Sequence, residues 1–106
     1  MNSVKSTFES ARRRTYTASR CQARFRNEAW ELTFEDWCEF WPTEQEFSRR
    51  SRHSNGVCLT REDRQQGWSR TNTIKLPRPL GRAYNNLYGR FDTSHILIHA
   101  ERLTGV

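Results

Sequence analysis

The segment from Thr33 to Pro42 constrains the fold of this chain more than any other. Thr33 and Asp36 have the spacing of a capping box, in which a side chain three positions after the N-cap returns a hydrogen bond. The positions i, i+3, i+4 and i+7 that follow are Phe34, Trp37, Cys38 and Trp41. Pro42 ends the element, because proline cannot continue a helix. We therefore predict a short aromatic helix over 33–41 that forms the core.

Charge is distributed very unevenly along the chain. Residues 1–26 carry a net charge of +6, residues 27–48 carry −7 with no Lys or Arg, and residues 49–106 carry +7. Sixteen of the eighteen basic residues are Arg. The guanidinium fork binds phosphate through two parallel hydrogen bonds and stacks on bases, so this bias favours nucleic-acid contact. Pairing of the arginines with the acidic segment is the alternative interpretation.

Length and composition exclude several classes of protein. A chain of 106 residues predicts one domain with a modest core. No apolar run approaches the roughly 20 residues that span a bilayer, and the first residues lack the apolar stretch of a secretory signal. We therefore expect a cytoplasmic protein with no membrane contact. The three cysteines lack metal-ligand spacing and form an odd set, which predicts buried free thiols.

The remaining elements follow from periodicity and from turn residues. Residues 5–27 predict a basic helix with a thin apolar stripe, which consists of Phe8, Ala11, Thr15, Ala18 and Phe25. A second cap at Thr43 predicts another short helix. Residues 57–61 and 73–76 predict a hairpin that Pro77 and Pro79 stop, and a short helix follows Gly81. The tail at 94–103 reads equally well as strand or helix.

These elements predict a small single-domain α+β fold over residues 1–106, with N-terminal helices packed on a β-hairpin that a short helix follows. The predicted segments are a basic helix (1–27), an acidic aromatic helical segment (31–50), the hairpin with its helix (55–90) and a tail (91–106).

The hairpin carries the residues with recognisable chemistry. Leu59-Thr-Arg-Glu-Asp63 is followed by Gly67-Trp68 and then by Asn72, at the start of the returning strand. Together with the helical segments before it, this order resembles the small HNH-type endonuclease proteins that are common in phage genomes, over roughly residues 15–90. The resemblance implies a ββα-metal unit. It also implies that Asn72 tethers the loop, that Arg61 stands in place of the first His, and that Asn85 or Asn86 stands at the third position.

The residue at position 61 decides what the resemblance implies about activity. HNH hydrolysis needs a neutral imidazole as general base and a divalent metal, whereas Arg61 stays protonated at physiological pH. We therefore expect a DNA-binding protein that needs no cofactor and does not cut. The alternative is an active nicking endonuclease in which Asp63 and Asn72 are catalytic, with Mg²⁺ or another divalent metal. His95 and His99 are the candidate metal ligands, at i, i+4 spacing.

Double-stranded DNA is the expected partner. The candidate contacts on the first helix are Arg12, Arg13, Arg14, Arg20 and Arg24, and those on the hairpin are Arg61, Arg64, Arg70 and Arg78. Trp68 is interpreted either as a core residue beneath the hairpin or as a stacking platform for a base. In a third hypothesis, the aromatic helix over 33–41 is an interface through which a phage protein binds and inhibits or redirects a host nucleic-acid-processing enzyme.

Overall fold

The basic N-terminal segment forms helix α1, Val4–Phe25, in the computed structural model, which describes residues 4–50 and 56–103. The long helix predicted here is confirmed, and it ends before Asn27, whose φ is 62°. Its buried residues are Tyr16 and Ala23, whereas Phe25 is 93% exposed. The predicted stripe therefore drifts off the buried face, because a 3.5-residue repeat rotates around a straight helix of 3.6 residues per turn.

The aromatic segment forms two short capped helices, α2 (Phe34–Phe40) and α3 (Glu44–Ser48). Thr33 and Asp36 form the predicted capping box, and the Thr43 side chain accepts a hydrogen bond from the backbone N–H of Glu46. Trp37, Phe40 and Trp41 are all at most 3% exposed. This burial confirms the segment as core, and it leaves the two tryptophans unable to serve as the exposed interface of the third hypothesis.

The hairpin pairs β1 (Val57–Arg61) with β2 (Thr73–Pro77) in antiparallel register, with Val57 opposite Pro77 and Arg61 opposite Thr73. The free edge of β2 is covered by the tail, because Lys75 and Glu101 exchange two backbone hydrogen bonds of 2.8 and 2.9 Å. The predicted turn over residues 53–56 lies outside the described residues, except for Gly56.

Helix α4 (Arg78–Leu87) follows β2 directly, and the tail over 94–103 contains both predicted alternatives, one turn of helix, α5 (Ser94–Leu97), and the bridge from Glu101 to β2. The prolines predicted to separate β2 from the helix instead mark its start. Pro79 lies within the first two helical positions, where its missing N–H would have no intrahelical partner in any case. The helix therefore begins four residues earlier than predicted.

The hairpin is packed on both faces, which makes the molecule a small α+β unit. One face contacts the cluster of Tyr16, Leu32, Trp37, Phe40 and Trp41, to which Val57 belongs. The other face contributes Ile74 and Leu76 to a cluster with Tyr84 and Ile96. All three cysteines are free thiols, although Cys21 is exposed rather than buried. No helix among residues 4–50 and 56–103 is long and apolar enough to cross a membrane.

Candidate nucleic-acid interface

Three arginines form a stripe along one side of α1. Arg13, Arg20 and Arg24 lie at i, i+7 and i+11, and at about 100° per residue their directions fall within about 40° of one another. All three are exposed. The Arg13 guanidinium lies 3.9 Å from the centre of the Phe34 ring, and the Arg20 guanidinium lies 5.5 Å from that of Tyr16. These ring contacts position the side chains without an acidic partner. We call these three residues the α1 stripe.

The other two arginines predicted on α1 lie apart from the stripe. Arg12 is half-buried, donates from Nη1 to the carbonyl oxygen of Trp41 at 2.9 Å and lies over the Phe8 ring, so it joins α1 to the end of α2. Arg14 is exposed and points about 100° away from the stripe. Of the five predicted helix residues, three therefore share one surface.

A polar cavity of about 330 Å³ lies where β1 ends beside α4. The charged and polar side chains around it come from distant parts of the chain. They include Arg26, Glu28, Arg61, Arg64, Trp68 and Asn85. We call this space the arginine cavity. A shallower groove beside it is lined by Arg20, Arg24 and Glu28, so the end of the α1 stripe adjoins the arginine cavity. Both basic segments of the sequence thus contribute guanidinium groups to neighbouring surfaces.

Arg61 is held by groups of the protein itself. Its Nη2 contacts Glu28 Oε2 at 3.1 Å, and both side chains are less than 20% exposed. Its Nη1 donates to the backbone carbonyls of Arg64 and Gln66 at 3.2 and 3.0 Å. Its guanidinium lies 5.7 Å from the centre of the Trp68 ring. Arg61 therefore holds the loop after β1 against the segment that follows α1, with its charge largely compensated.

Asn72 ties together the loop that joins the strands. Its Oδ1 accepts from the backbone N–H of Asp63 at 2.8 Å, and its Nδ2 donates to the carbonyls of Asp63 and Gly67 at 3.0 and 2.8 Å. Asn72 is buried, so these three bonds replace water, and two of them serve backbone groups with no other partner, the N–H of Asp63 and the carbonyl of Gly67. The geometry is that of a loop tether, which is the role implied by the HNH resemblance.

Asp63 is fully engaged in local hydrogen bonds. Its carboxylate accepts from the backbone N–H of Gln65 at 2.9 Å, from the Tyr88 hydroxyl at 2.8 Å and from Gln66 Nε2 at 3.2 Å. The first two of these bonds are the main cause of a lowered pKa of Asp63. The hydroxyl of Tyr84 donates to the carbonyl of the neighbouring Glu62. Two consecutive residues, Glu62 and Asp63, are therefore fixed to α4 and to its C-cap residue, Tyr88.

The remaining hairpin candidates differ in their surroundings. Arg64 is exposed and donates from Nη1 to the carbonyl of Asn85 at 3.0 Å, next to the arginine cavity. Arg78 is half-buried at the start of α4. Trp68 is partly buried against the core cluster and donates from Nε1 to Glu28 Oε1 at 2.9 Å, so its surroundings favour the interpretation as a core residue over that as a stacking platform.

Arg70 binds two carboxylates of α2. Its Nη1 lies 3.0 Å from Asp36 Oδ1 and 2.6 Å from Glu39 Oε2, and its Nη2 lies 3.0 Å from Glu39 Oε1. Partial burial alone would raise the pKa of Asp36, but hydrogen bonds from the Thr33 backbone and from Arg70 outweigh it and lower that pKa. The bond from Arg70 also lowers the pKa of Glu39. Arg70 therefore fastens the hairpin loop to α2.

This pairing predicts acid-sensitive stability. Because the carboxyl pKa values are lowered on folding, the stabilisation is fully present above about pH 5 and is lost as the pH falls below about 4. We expect Arg70→Gln to reduce the urea midpoint at pH 7 but to change it little at pH 2.5. Urea titrations of both proteins at each pH test this. If the urea midpoints of the native chain and of Arg70→Gln differ by the same amount at both pH values, the prediction is contradicted.

The predicted metal ligands His95 and His99 belong to no larger group of metal-binding side chains among the described residues. His95 and His99 are both exposed, in and just after α5. Within residues 4–50 and 56–103, no three side chains of His, Cys, Asp or Glu form a group suited to a metal ion. Asp63 instead directs its oxygens to the loop and to Tyr88. The metal-dependent alternative thus stays a prediction without a ligand set.

Sequence reasoning missed two residues of this surface. The sequence identified Glu28 only as part of the acidic segment, yet its carboxylate accepts hydrogen bonds from both Arg61 and Trp68. Arg26 follows the last residue of α1 and lines the arginine cavity. The partners of Glu28, and the β1 and α4 residues that line the arginine cavity with Arg26, lie more than 30 positions away in the sequence, so no local pattern could identify either role. No protein family, curated protein or solved structure matches this chain.

Proposed function

We propose that this chain is a DNA-binding protein with an HNH-like ββα unit, which holds the phosphates of a duplex through exposed arginines and does not cleave them. The order of β1, a loop tethered by Asn72, β2 and α4 supports the HNH-like part of the proposal. The phage origin that the resemblance implied belongs to the same proposal. Arg61 occupies the position of the general base, where a permanently charged and paired guanidinium cannot accept a proton.

The pattern of ion pairs carries the binding part of this proposal. Every ion pair of the acidic segment 27–48 among the described residues is made with the C-terminal basic segment, through Arg49, Arg61, Arg70 and Lys75. None of these pairs involves an arginine of α1. The α1 stripe therefore forms no ion pair within the described part of the chain, which leaves its positive charge open to a polyanion.

The first experiment measures the affinity for a 20-base-pair duplex by fluorescence anisotropy between 50 and 200 mM salt. The variant replaces Arg13, Arg20 and Arg24 with Gln. We expect its affinity at 50 mM salt to fall by about a hundredfold or more, since each of the three guanidinium–phosphate bonds contributes roughly 1 kcal/mol or more. The slope of log K against log salt should become shallower by about 0.9 for each phosphate that the variant no longer neutralises.

The matched control variant replaces Arg49, Arg90 and Arg102, which are all exposed, with Gln. It therefore loses the same three positive charges as the stripe variant, but at other positions. An equal loss of affinity in both variants would mean that net charge alone causes binding, and an absence of duplex binding by the native chain at 50 mM salt would refute the proposal. Plasmid nicking in Mg²⁺ or Mn²⁺ that Asp63→Ala abolishes would instead establish the endonuclease alternative.

A further inference from the structure

The lining of the arginine cavity carries a net positive charge. Three guanidinium groups line it, those of Arg26, Arg61 and Arg64, and among the described residues Glu28 is its one carboxylate, which gives a formal charge of +2. Glu28 is already engaged, since its Oε2 contacts Arg61 and its Oε1 accepts from Trp68. Neither Arg26 nor Arg64 forms an ion pair with a described residue. The excess charge therefore belongs to these two side chains.

Arg64 is held in place at the arginine cavity by neutral groups. Its Nη1 donates to the backbone carbonyl of Asn85 at 3.0 Å, and its guanidinium lies 6.0 Å from the centre of the Tyr88 ring. The preceding residue, Asp63, is bonded to both Asn72 and Tyr88, which fixes the backbone that carries Arg64. A side chain that is already ordered loses less conformational freedom when it binds a ligand. Arg64 thus offers a positioned positive charge.

Arg26 reaches the same cavity from the end of α1. Its backbone N–H donates to the carbonyls of Gln22 and Ala23 at 3.0 and 3.1 Å, so its main chain is fixed. The side chain is exposed and forms no hydrogen bond, ion pair or ring contact with a described residue. All five guanidinium N–H groups can therefore turn to a bound anion.

We propose that the arginine cavity binds a phosphate monoester, supplied by the end of a nucleic-acid strand, with Arg26 and Arg64 as its charged ligands. A monoester carries a charge of about −1.5 to −2 at pH 7 and matches the +2 of the lining, whereas a diester within a strand carries a single charge. Guanidinium groups bind phosphate oxygens through paired hydrogen bonds. The volume of about 330 Å³ corresponds to about ten water molecules at roughly 30 Å³ each, which is ample for a phosphate group.

The surroundings of the cavity favour a strand end as the source of the monoester. The groove lined by Arg20, Arg24 and Glu28 joins the arginine cavity to the α1 stripe, so a duplex that lies along the stripe can place its end at the cavity. This part of the inference rests on the proposed function. A free nucleotide has the same chemistry and is the alternative source, which the experiment separates.

The experiment compares DNA hairpins of one sequence with a single blunt end that carries a 5′-phosphate, a 3′-phosphate or hydroxyl groups only. A fluorophore in the hairpin loop reports binding of the full chain by anisotropy, at about 100 mM salt to screen weaker contacts. We expect one of the phosphorylated hairpins to bind about tenfold more tightly than the hydroxyl-ended hairpin, because hydrogen bonds between charged groups are the strong class. Equal affinities for all three hairpins would refute binding of a strand end.

Two variants test the ligands, with circular dichroism to confirm folding. Arg26→Gln and Arg64→Gln change exposed side chains, and each should reduce the preference for the phosphorylated hairpin to about threefold or less. Arg14→Gln is the matched control, because it removes the same charge from an exposed residue that lines neither the cavity nor the groove. Its preference should stay native. An equal loss of preference in Arg14→Gln, or native preference in both cavity variants, would refute the site.

A titration without any strand separates this inference from the proposed function. Deoxyadenosine 5′-monophosphate is added to the ¹⁵N-labelled chain, and the side-chain N–H resonances of Arg26, Arg64 and Trp68 are followed, with those of Arg14 as the control. Shifts confined to the cavity residues, without binding of any hairpin, would refute the proposed function and identify the free nucleotide as the ligand. Binding of the hydroxyl-ended hairpin, with no effect of a terminal phosphate and no shifts, would leave the proposed function in place and refute the monoester site.

Discussion

Asn72→Ala is expected to lower the free energy of unfolding by about 3–5 kcal/mol, because it removes three hydrogen bonds and leaves two partly buried backbone groups without partners. The N–H of Asp63 and the carbonyl of Gly67 lose their partner, whereas the carbonyl of Asp63 keeps its bond from the backbone N–H of Gln66. No compensating hydration is available at a position 8% exposed. At roughly 4–8 °C per kcal/mol for a domain of this size, Tm should fall by about 12 °C or more. Urea and thermal denaturation measure both quantities.

The matched control for this variant is Asn86→Ala. Asn86 is an exposed residue of α4, where alanine is a better helix former, so stability should change little or rise slightly. Asn72→Asp adds a further test, because it keeps the acceptor for Asp63 N–H but places a carboxylate against two carbonyls. Its stability should improve on mild acidification, whereas that of Asn72→Ala should not. A difference of less than about 1 kcal/mol between Asn72→Ala and Asn86→Ala would contradict the tether.

Local sequence signals predicted the elements well where one local rule decides the conformation. The capping residues Thr33 and Thr43 mark the starts of α2 and α3 because their side chains satisfy backbone N–H groups within three positions. The bounds of β1 agree with the prediction because its β-branched and apolar residues begin directly after Gly56. The predicted start of α4 was wrong because proline can both end a strand and occupy the first turn of a helix.

The ion pairs between residues that are distant in the sequence could not be predicted from the sequence. Arg61 and Arg70 look like their neighbours in a basic segment, yet each forms an ion pair with an acidic residue more than 30 positions earlier. Lys75 likewise lies buried under α2, where its Nζ donates to the carbonyl of Phe40 at 2.6 Å and to Glu46 at 3.3 Å. Charge counting shows that such pairs are possible but does not say which cations they neutralise.

The choice of ion-pair partners matters for the proposed function. The acidic segment 27–48 forms its ion pairs, among the described residues, with the C-terminal basic segment 49–106. The hairpin arginines that it pairs with stabilise the contact between α2, the segment after α1 and the loop of the hairpin. The α1 stripe keeps its charge available. Of the arginines predicted from sequence as DNA contacts, we therefore retain the α1 stripe and Arg64 in the proposal, and we assign Arg12, Arg61 and Arg70 a positioning role.

Gly67→Ala is the second substitution for which we expect a large loss of stability, about 2–4 kcal/mol of unfolding free energy. A Cβ at Gly67 would lie 2.6 Å from the carbonyl oxygen of Ala29 and 2.7 Å from its Cβ, so two backbone segments would have to separate. Those segments are joined by a bridge between Trp30 and Trp68, with hydrogen bonds of 2.8 Å from Trp68 N to Ala29 O and 2.7 Å from Glu31 N to Trp68 O.

The effect of Gly67→Ala should extend from stability to tryptophan emission. Separation of the two segments would move Trp30 and Trp68, whose ring centres lie 6.0 Å apart, so the emission of the folded variant should shift to longer wavelength. Gly89→Ala is the control: Gly89 has a φ of 77° but nothing within 4 Å of an added Cβ, so its cost should be the roughly 1–2 kcal/mol of a left-handed alanine, with native emission. Gly67→Ala with native stability and native emission would show that the bridge between Trp30 and Trp68 is not required for the fold.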